Sequence, residues 1–260
     1  MNEVTPEYFW YDMHCHLDFC ANPEAFAQEG AKHGLAFLAC TVTPADYLAC
    51  KPGLANQPNV ALGLGMHPWW LEGCQDGPDQ AVQLVPETRF VGEVGMDLSP
   101  KLAFFEHEQL EAFGRIVQAC VSNGGAVLSI HGVRSAAKVL DVLERTGALE
   151  NCANVFHWFS DSMDQFVRAQ NAGCFFSVGK RMLDTRRGRE CVRQVPAGKL
   201  VLETDMPPEG AGAEHGVDQH LALLQETFEG VCQVRGVSSE DEREALALQI
   251  RKTSAALLGM

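Results

Sequence analysis

The chain has 260 residues, enough for one large buried core, and its 46% hydrophobic and 21% charged content is that of an ordinary globular protein. A formal net charge of −14 excludes a protein that coats nucleic acid through general positive charge and leaves room only for local basic contacts. No apolar run is long enough to cross a bilayer, and residues 1–11 carry neither a basic nor an apolar signal region, so the expectation is a cytoplasmic protein with no membrane association. Ten cysteines include no C-x-x-C pair. Cys15, Cys40 and Cys174 sit in apolar runs and read as reduced, buried thiols rather than a disulfide framework.

In chain order, short apolar runs alternate with helical stretches. The first run, 11–17, leads to a stretch that opens on Asn22-Pro23 and stops at His33-Gly34, with proline just inside the start and glycine at the end. Runs follow at 35–42, 59–67 and 89–97. A helix is predicted over 101–123, where Leu102, Phe105, Leu110, Phe113, Ile116, Val117 and Cys120 recur at helical spacing before Gly124-Gly125. Then come a run at 125–132, a helix at 135–145, a run at 154–159, a helix at 161–172, and runs at 174–180 and 199–206. Two helical stretches, 217–235 and 239–258, close the chain. The runs are almost continuously apolar, as parallel strands covered on both faces are. Eight of them alternating with helices predict a single α/β domain over 1–260, a (β/α)8 TIM-type barrel; the alternative is an open doubly wound sheet.

The unusual residues fall at the ends of these runs. His14 and His16 lie two apart on the first, so both point the same way from a regular strand. His67 ends the third run, Glu93 lies in the fourth, His131 ends the fifth, His157 lies in the sixth, and Asp205 ends the eighth. In a barrel, these C-terminal strand ends converge on one mouth. A single buried histidine usually means packing, but so many imidazoles and carboxylates together are costly to bury without cations. Imidazole with carboxylate suits a divalent transition metal, and two ions sharing a carboxylate suit hydrolysis. His33 and His107 lie on helical stretches and read as surface residues; His215 and His220, near the loop after the last run, are weaker candidates for touching substrate.

These residues resemble the TatD family of metal-dependent nucleases, in the amidohydrolase superfamily. The resemblance covers nearly the whole chain and rests on six blocks in order: Asp12-Met13-His14-Cys15-His16-Leu17-Asp18, Gly65-Met66-His67-Pro68, Gly92-Glu93-Val94-Gly95-Met96-Asp97, Ser129-Ile130-His131, His157-Trp158-Phe159-Ser160 and Glu203-Thr204-Asp205-Met206-Pro207. It implies two divalent ions, Zn, Mg or Mn. His14, His16 and Asp205 would hold one, His131 and His157 the other, and Glu93 would bridge them. His67 would contact substrate phosphate, the alternative being packing behind the ligands. Asp12 and Asp18 would orient ligands or cap backbone. Related amidohydrolases often bridge their ions with a carbamylated lysine; neither the fourth nor the fifth run contains a lysine, which favours the TatD branch.

The rim departs from the family. His-Ser-Arg after strand five is here His131-Gly132-Val133-Arg134, which displaces the arginine expected to bind substrate phosphate. Phe-Ser-Gly after strand six is Phe159-Ser160-Asp161, and the Arg-Asn-Glu-Pro element after the last strand is replaced by 207–220. Two rim features still suit nucleic acid. Trp69-Trp70 and Trp158-Phe159 could stack bases, the alternative being loop packing. Lys180, Arg181, Arg186, Arg187, Arg189, Arg193 and Lys199 form a local basic stretch, the alternative being a solvated helix face.

The resemblance therefore implies phosphodiester hydrolysis, 3′→5′ from a DNA end, with Asp205 as catalytic proton acceptor. Expected partners are DNA or another phosphodiester, and the chain is expected to be monomeric or part of a larger assembly. Two rivals stay open: a small-molecule or aminoacyl-RNA ester or amide metallohydrolase, and a nuclease-like subunit of a phage-defence-type assembly.

Overall fold

Eight strands carry the architecture: β1 (Trp10–Cys15), β2 (Leu35–Cys40), β3 (Val60–Met66), β4 (Phe90–Asp97), β5 (Val127–Val133), β6 (Ala153–His157), β7 (Phe175–Val178) and β8 (Leu200–Leu202). Each falls on one of the eight apolar runs of the sequence. The structure, a computed structural model, describes residues 7–210 and 214–260. The strands form one sheet in the order β1 to β8, the parallel (β/α)8 class expected from the alternation. β2 and β3 are buried at every position, as continuous apolar runs predict.

The helices are α1 (Pro23–Lys32), α2 (Pro44–Leu54), α3 (Gly77–Leu84), α4 (Glu106–Ser122), α5 (Ala136–Thr146), α6 (Ala148–Asn151), α7 (Met163–Asn171), α8 (Lys180–Leu183), α9 (Arg186–Gln194), α10 (Val217–Arg235) and α11 (Glu240–Leu258). Asn22 caps α1 by accepting from the Ala25 N–H, with Pro23 at the first position. A capping box of Ser239 and Glu242 starts α11. The sequence pattern missed α2 and α3. Pro52 lies inside α2, and Gly77-Pro78 opens α3, so residues that ordinarily mark breaks sit within helical ends.

The chain divides into two compact units. One comprises the chain up to Ala39, Pro52–Ala61 and Phe176 onward; the other comprises Cys40–Lys51 and Leu62–Phe175. In the first, β1 pairs with β2 and β7 with β8. In the second, β4 pairs with β5 and β5 with β6.

Two strands are irregular where it matters. Asp12 and Cys15 lie opposite Phe37 and Ala39, so β1 takes three steps where β2 takes two. Likewise Val91 and Val94 lie opposite Leu128 and Ile130, and β4 gains one residue against β5. These are bulges, and each contains a residue of the polar constellation, His14 in β1 and Glu93 in β4. A bulge breaks the strict in-out alternation and re-aims the side chain it carries. Just beyond, Gly95 has φ +145°, and a Cβ there would lie 2.0 Å from the His131 carbonyl oxygen. Only glycine permits that approach of β4 to β5.

Candidate metal centre

In the first compact unit, β1 supplies His14 and the residue after its end supplies His16; Asp205 follows β8. Backbone bonds lock these segments together: the Asp205 N–H donates to His14 O at 2.9 Å, and the His16 N–H to Met206 O at 2.9 Å. Asp205 has φ +57°, in the left-handed region that aspartate tolerates better than most residues. Non-glycine residues held there concentrate at functional sites, where the surroundings enforce the conformation. Its Oδ1 lies 3.7 Å from His14 Nε2 and 3.4 Å from His16 Nε2. Its Oδ2 lies 3.3 Å from Arg181 Nη1, from α8. Both imidazoles are buried. The His16 ring stacks on Phe19, and its Nδ1 is 3.8 Å from Asp18 Oδ1.

Beneath this group lies a buried polar chain. Asp12 Oδ1 accepts from the backbone N–H of His14 at 3.0 Å and of Thr204 at 3.1 Å. Asp12 Oδ2 accepts from the Thr204 hydroxyl at 2.5 Å and faces His220 Nε2 at 2.7 Å. His220 Nδ1 in turn faces His215 Nε2 at 2.9 Å. With a carboxylate at Nε2, His220 carries its proton there, so Nδ1 accepts from His215. Burial and the neighbouring His220 push His215 down to about 4. Asp12 thus ties the strand that bears His14 to the segment that bears Asp205, and α10 anchors Asp12. The sequence implies an orienting or capping role for Asp12 and only a weak place near substrate for His215 and His220. The structure places both histidines in the Asp12 hydrogen-bond chain beneath His14.

The second unit gathers three imidazoles from the ends of β3, β5 and β6 around one carboxylate within β4. Glu93 Oε1 lies 2.7 Å from His131 Nδ1, 3.0 Å from His157 Nε2 and 3.2 Å from His67 Nε2, all of them buried. His131 Nε2 faces a second buried carboxylate, Asp97 Oδ2, at 3.2 Å. Asp97 also accepts from Trp69 Nε1 at 2.7 Å and from the Ser99 N–H at 2.8 Å. Burial works against the charged form of Asp97, but bonds from His131, Trp69 and Ser99 outweigh it and hold the carboxyl well below its ordinary range. Burial likewise depresses His131, yet Asp97 and Glu93 together raise it above an ordinary histidine. The third block of the resemblance contains Asp97 but implies no role for it; its buried position against His131 has no local signal in the sequence.

His67 differs from the other histidines. Its Nδ1 accepts the Trp69 backbone N–H at 3.1 Å. A neutral ring with an accepting Nδ1 bears its proton on Nε2. His67 is therefore a hydrogen-bond donor toward Glu93 or a bound anion, and its Nε2 lone pair is not available to an ion.

Both groups fit a divalent metal. Ligands about 2.1 Å from one ion at the tetrahedral angle lie roughly 3.4 Å apart. The His14 and His16 contacts to Asp205, at 3.7 and 3.4 Å, and the His157 contact to Glu93, at 3.0 Å, are near that separation. Ligand atoms of His14, His16 and Asp205 lie within 4.8 Å of one another, and Glu93 Oε1 lies within 3.0 Å of both His131 and His157. Imidazole and carboxylate donors suit zinc, manganese and their neighbours.

Around these groups, Arg134 follows β5 with φ +54°. Its side chain is exposed and makes no hydrogen bond or ion pair among the described residues. The basic stretch is largely engaged locally. Lys180 pairs with Glu226 at 2.5 Å, Arg193 with Glu190 at 2.6 Å, and Arg189 donates to Leu183 O at 2.8 Å. Arg186 and Arg187 are exposed on α9. Of the aromatic candidates, Phe159 is buried and Trp69 exposed. His33 and His107 are surface residues. All ten cysteines are free thiols. Among the described residues no helix is long and apolar enough to cross a membrane.

The chain is similar to known proteins over nearly its whole length. The family model described as TatD related DNase matches residues 11–253. The metal-dependent hydrolase YjjV of Escherichia coli is 28% identical over 246 residues, covering 90% of this chain and 93% of that protein. Human deoxyribonuclease TATDN3 is 24% identical over 251 residues, covering 88% and 89%. The crystal structure of YjjV superposes with a TM-score of 0.76 at 23% identity, over 97% of this chain and 98% of the other. That of the E. coli phosphotriesterase homology protein, complexed with phosphate in its active site, gives 0.62 at 13% identity, over 98% and 100%.

Proposed function

Because this chain belongs to the TatD family of metal-dependent hydrolases, we propose that it cleaves phosphodiester bonds as a 3′→5′ exodeoxyribonuclease. In this reading it uses two divalent ions, one held by His14, His16 and Asp205, the other by His131 and His157, with Glu93 shared. The observation that carries the reading is that each compact unit gathers its own buried set of imidazoles around a single carboxylate oxygen. Histidines distributed for packing would not select one oxygen of Asp205 and one of Glu93.

Bound ions would supply an activated water and polarise a phosphoryl oxygen. The chain's own groups do the rest. Asp205 presents Oδ1 to the two histidines and keeps Oδ2 apart, toward Arg181, where it can take a proton from water. His67 donates from Nε2 to an anionic oxygen, since its Nδ1 is already occupied as an acceptor. The free guanidinium of Arg134 at the end of β5 binds a flanking phosphate.

One observation favours a second reading, hydrolysis of a small ester or amide. Local pairing consumes much of the basic stretch, so less positive surface is available to a long polyanion than composition suggests. A single experiment separates the two. Purified protein is assayed with Mn²⁺, Mg²⁺ and Zn²⁺ against single-stranded DNA, double-stranded DNA, RNA and a panel of small esters. Preferential shortening of DNA from the 3′ end supports the nuclease. Turnover of small esters alone, with DNA left intact, overturns it.

A further inference from the structure

Trp69 sits in a three-residue turn after β3, over Pro68–Trp70. Its side chain is 57% exposed, an unusual position for the largest apolar side chain. It is nevertheless held firmly. Its indole N–H donates to buried Asp97 at 2.7 Å, and its backbone N–H donates to His67 at 3.1 Å. The rings of Trp69 and Trp70 lie offset and nearly parallel, with centroids 6.1 Å apart and 16° between planes. The His131 ring meets the indole edge-on at 6.3 Å. One face of Trp69 therefore has a neighbour, its polar edge is fixed, and much of the ring stays in water. A tryptophan whose only purpose was packing would bury that surface, at a gain of about 25 cal/mol per Å².

The anchor explains the placement. Asp97 Oδ2 receives both the Trp69 indole and the His131 ring nitrogen. One carboxylate thereby fixes the outward ring relative to a candidate metal ligand. A rigid exposed aromatic beside a phosphate-binding site offers a π-face at a set distance from the scissile group, and every nucleobase has a face to match it. A small aliphatic ester has nothing to place there.

We infer that Trp69 is a specificity-determining stacking residue, a platform for the base of a nucleotide next to the scissile phosphate. This rests on the phosphodiesterase reading and goes beyond it by naming the substrate group recognised and the residue that recognises it. The base is bound by stacking, so all four bases are accepted with differences set by stacking strength.

The test uses two non-cleavable ligands of equal charge: phosphorothioate-linked trithymidine, and the same backbone with a tetrahydrofuran in place of every base. Calorimetric Kd values are measured for wild type, Trp69→Ala and Trp69→Phe. Wild type should prefer the base-bearing ligand by roughly 5- to 150-fold, the range expected for one stacked base. Trp69→Ala should lose that preference with its affinity for the base-free ligand unchanged. Trp69→Phe should keep a reduced preference, since a ring remains without the indole anchor. Equal weakening toward both ligands in Trp69→Ala would give the residue a structural role and overturn the proposal, as would a Trp69→Phe loss equal to that of alanine. If wild type binds both ligands alike, the platform is refuted while the phosphodiester reading stands. If wild type binds neither, both fall.

Discussion

Replacing His220 with alanine removes the anchor of Asp12, and the structure sets how much that should cost. The imidazole is fully buried, 2.7 Å from Asp12 Oδ2 and 2.9 Å from His215, with edge contacts to Phe26 and Phe37. Losing a hydrogen bond to a carboxylate costs about 1.5–3 kcal/mol. The cavity left by the ring adds about 2 kcal/mol, less than a buried phenylalanine would because imidazole is smaller. Destabilisation of about 3.5–5 kcal/mol is expected, measured as a lower urea midpoint at pH 7.5 by tryptophan fluorescence. His220→Gln retains one donor and should cost about half as much. The functional consequence is separable. Asp12 also holds the backbone of His14 and Thr204, so loosening it should weaken metal affinity by roughly 10- to 100-fold, as loss of outer partners does. Competition with a chromogenic chelator reads that directly. A stability change below about 1 kcal/mol with unaltered metal affinity would refute the claim that the Asp12–His220 pair positions the site.

Asp205→Asn keeps shape but removes the proposed proton acceptor and one charge. Turnover should fall by orders of magnitude with little change in urea midpoint, and wild-type rates with metal supplied would remove Asp205 from the mechanism. Arg186→Ala with Arg187→Ala should raise KM for oligonucleotides and reduce the slope of log affinity against log salt by about 1.4, for two single-strand phosphate contacts. Arg189 is left in place because it caps the Leu183 carbonyl. If a small chromogenic phosphodiester loses as much as an oligonucleotide does, α9 does not track the substrate. His215 gives a pH signature. Its folded value, about 4, lies below the ordinary 6.5, so the unfolded chain binds the proton first as pH falls. Its contribution to stability is therefore complete above about 6.5 and declines as pH drops toward 4. Urea midpoints across that window should show the decline, and His215→Gln should flatten it.

Much of this was legible in the sequence because strands buried on both faces leave an apolar signature that few other elements share. Each of the eight runs marked its strand, and polar residues at their ends stood out against that background. Other features were hidden for identifiable reasons. α2 and α3 contain Pro52 and Gly77-Pro78, which a residue-by-residue reading takes as breaks. His220 lies on a helical stretch among polar neighbours, and nothing local marks it as buried; its partner Asp12 is more than two hundred residues away in the chain. The basic stretch misled in the opposite sense. Arginines look alike in a sequence, yet Arg189 holds a carbonyl, Arg181 faces Asp205, and Arg186 points to solvent.

The bulges in β1 and β4 bear on which lengths of chain this design can tolerate. A point substitution at His14 or Glu93 deletes one group, but a one-residue deletion between Val91 and Val94 would do something else. It would restore an even ladder with β5 and rotate what remains of that segment to the other face. Backbone pairing would improve while chemistry vanished. The extra residues thus interrupt sheet regularity at the points where the chain re-aims His14 and Glu93. Descent within such a lineage should conserve spacing through these two strands more strictly than composition. Aligning or transplanting them as regular strands would bring in the right residues facing the wrong way.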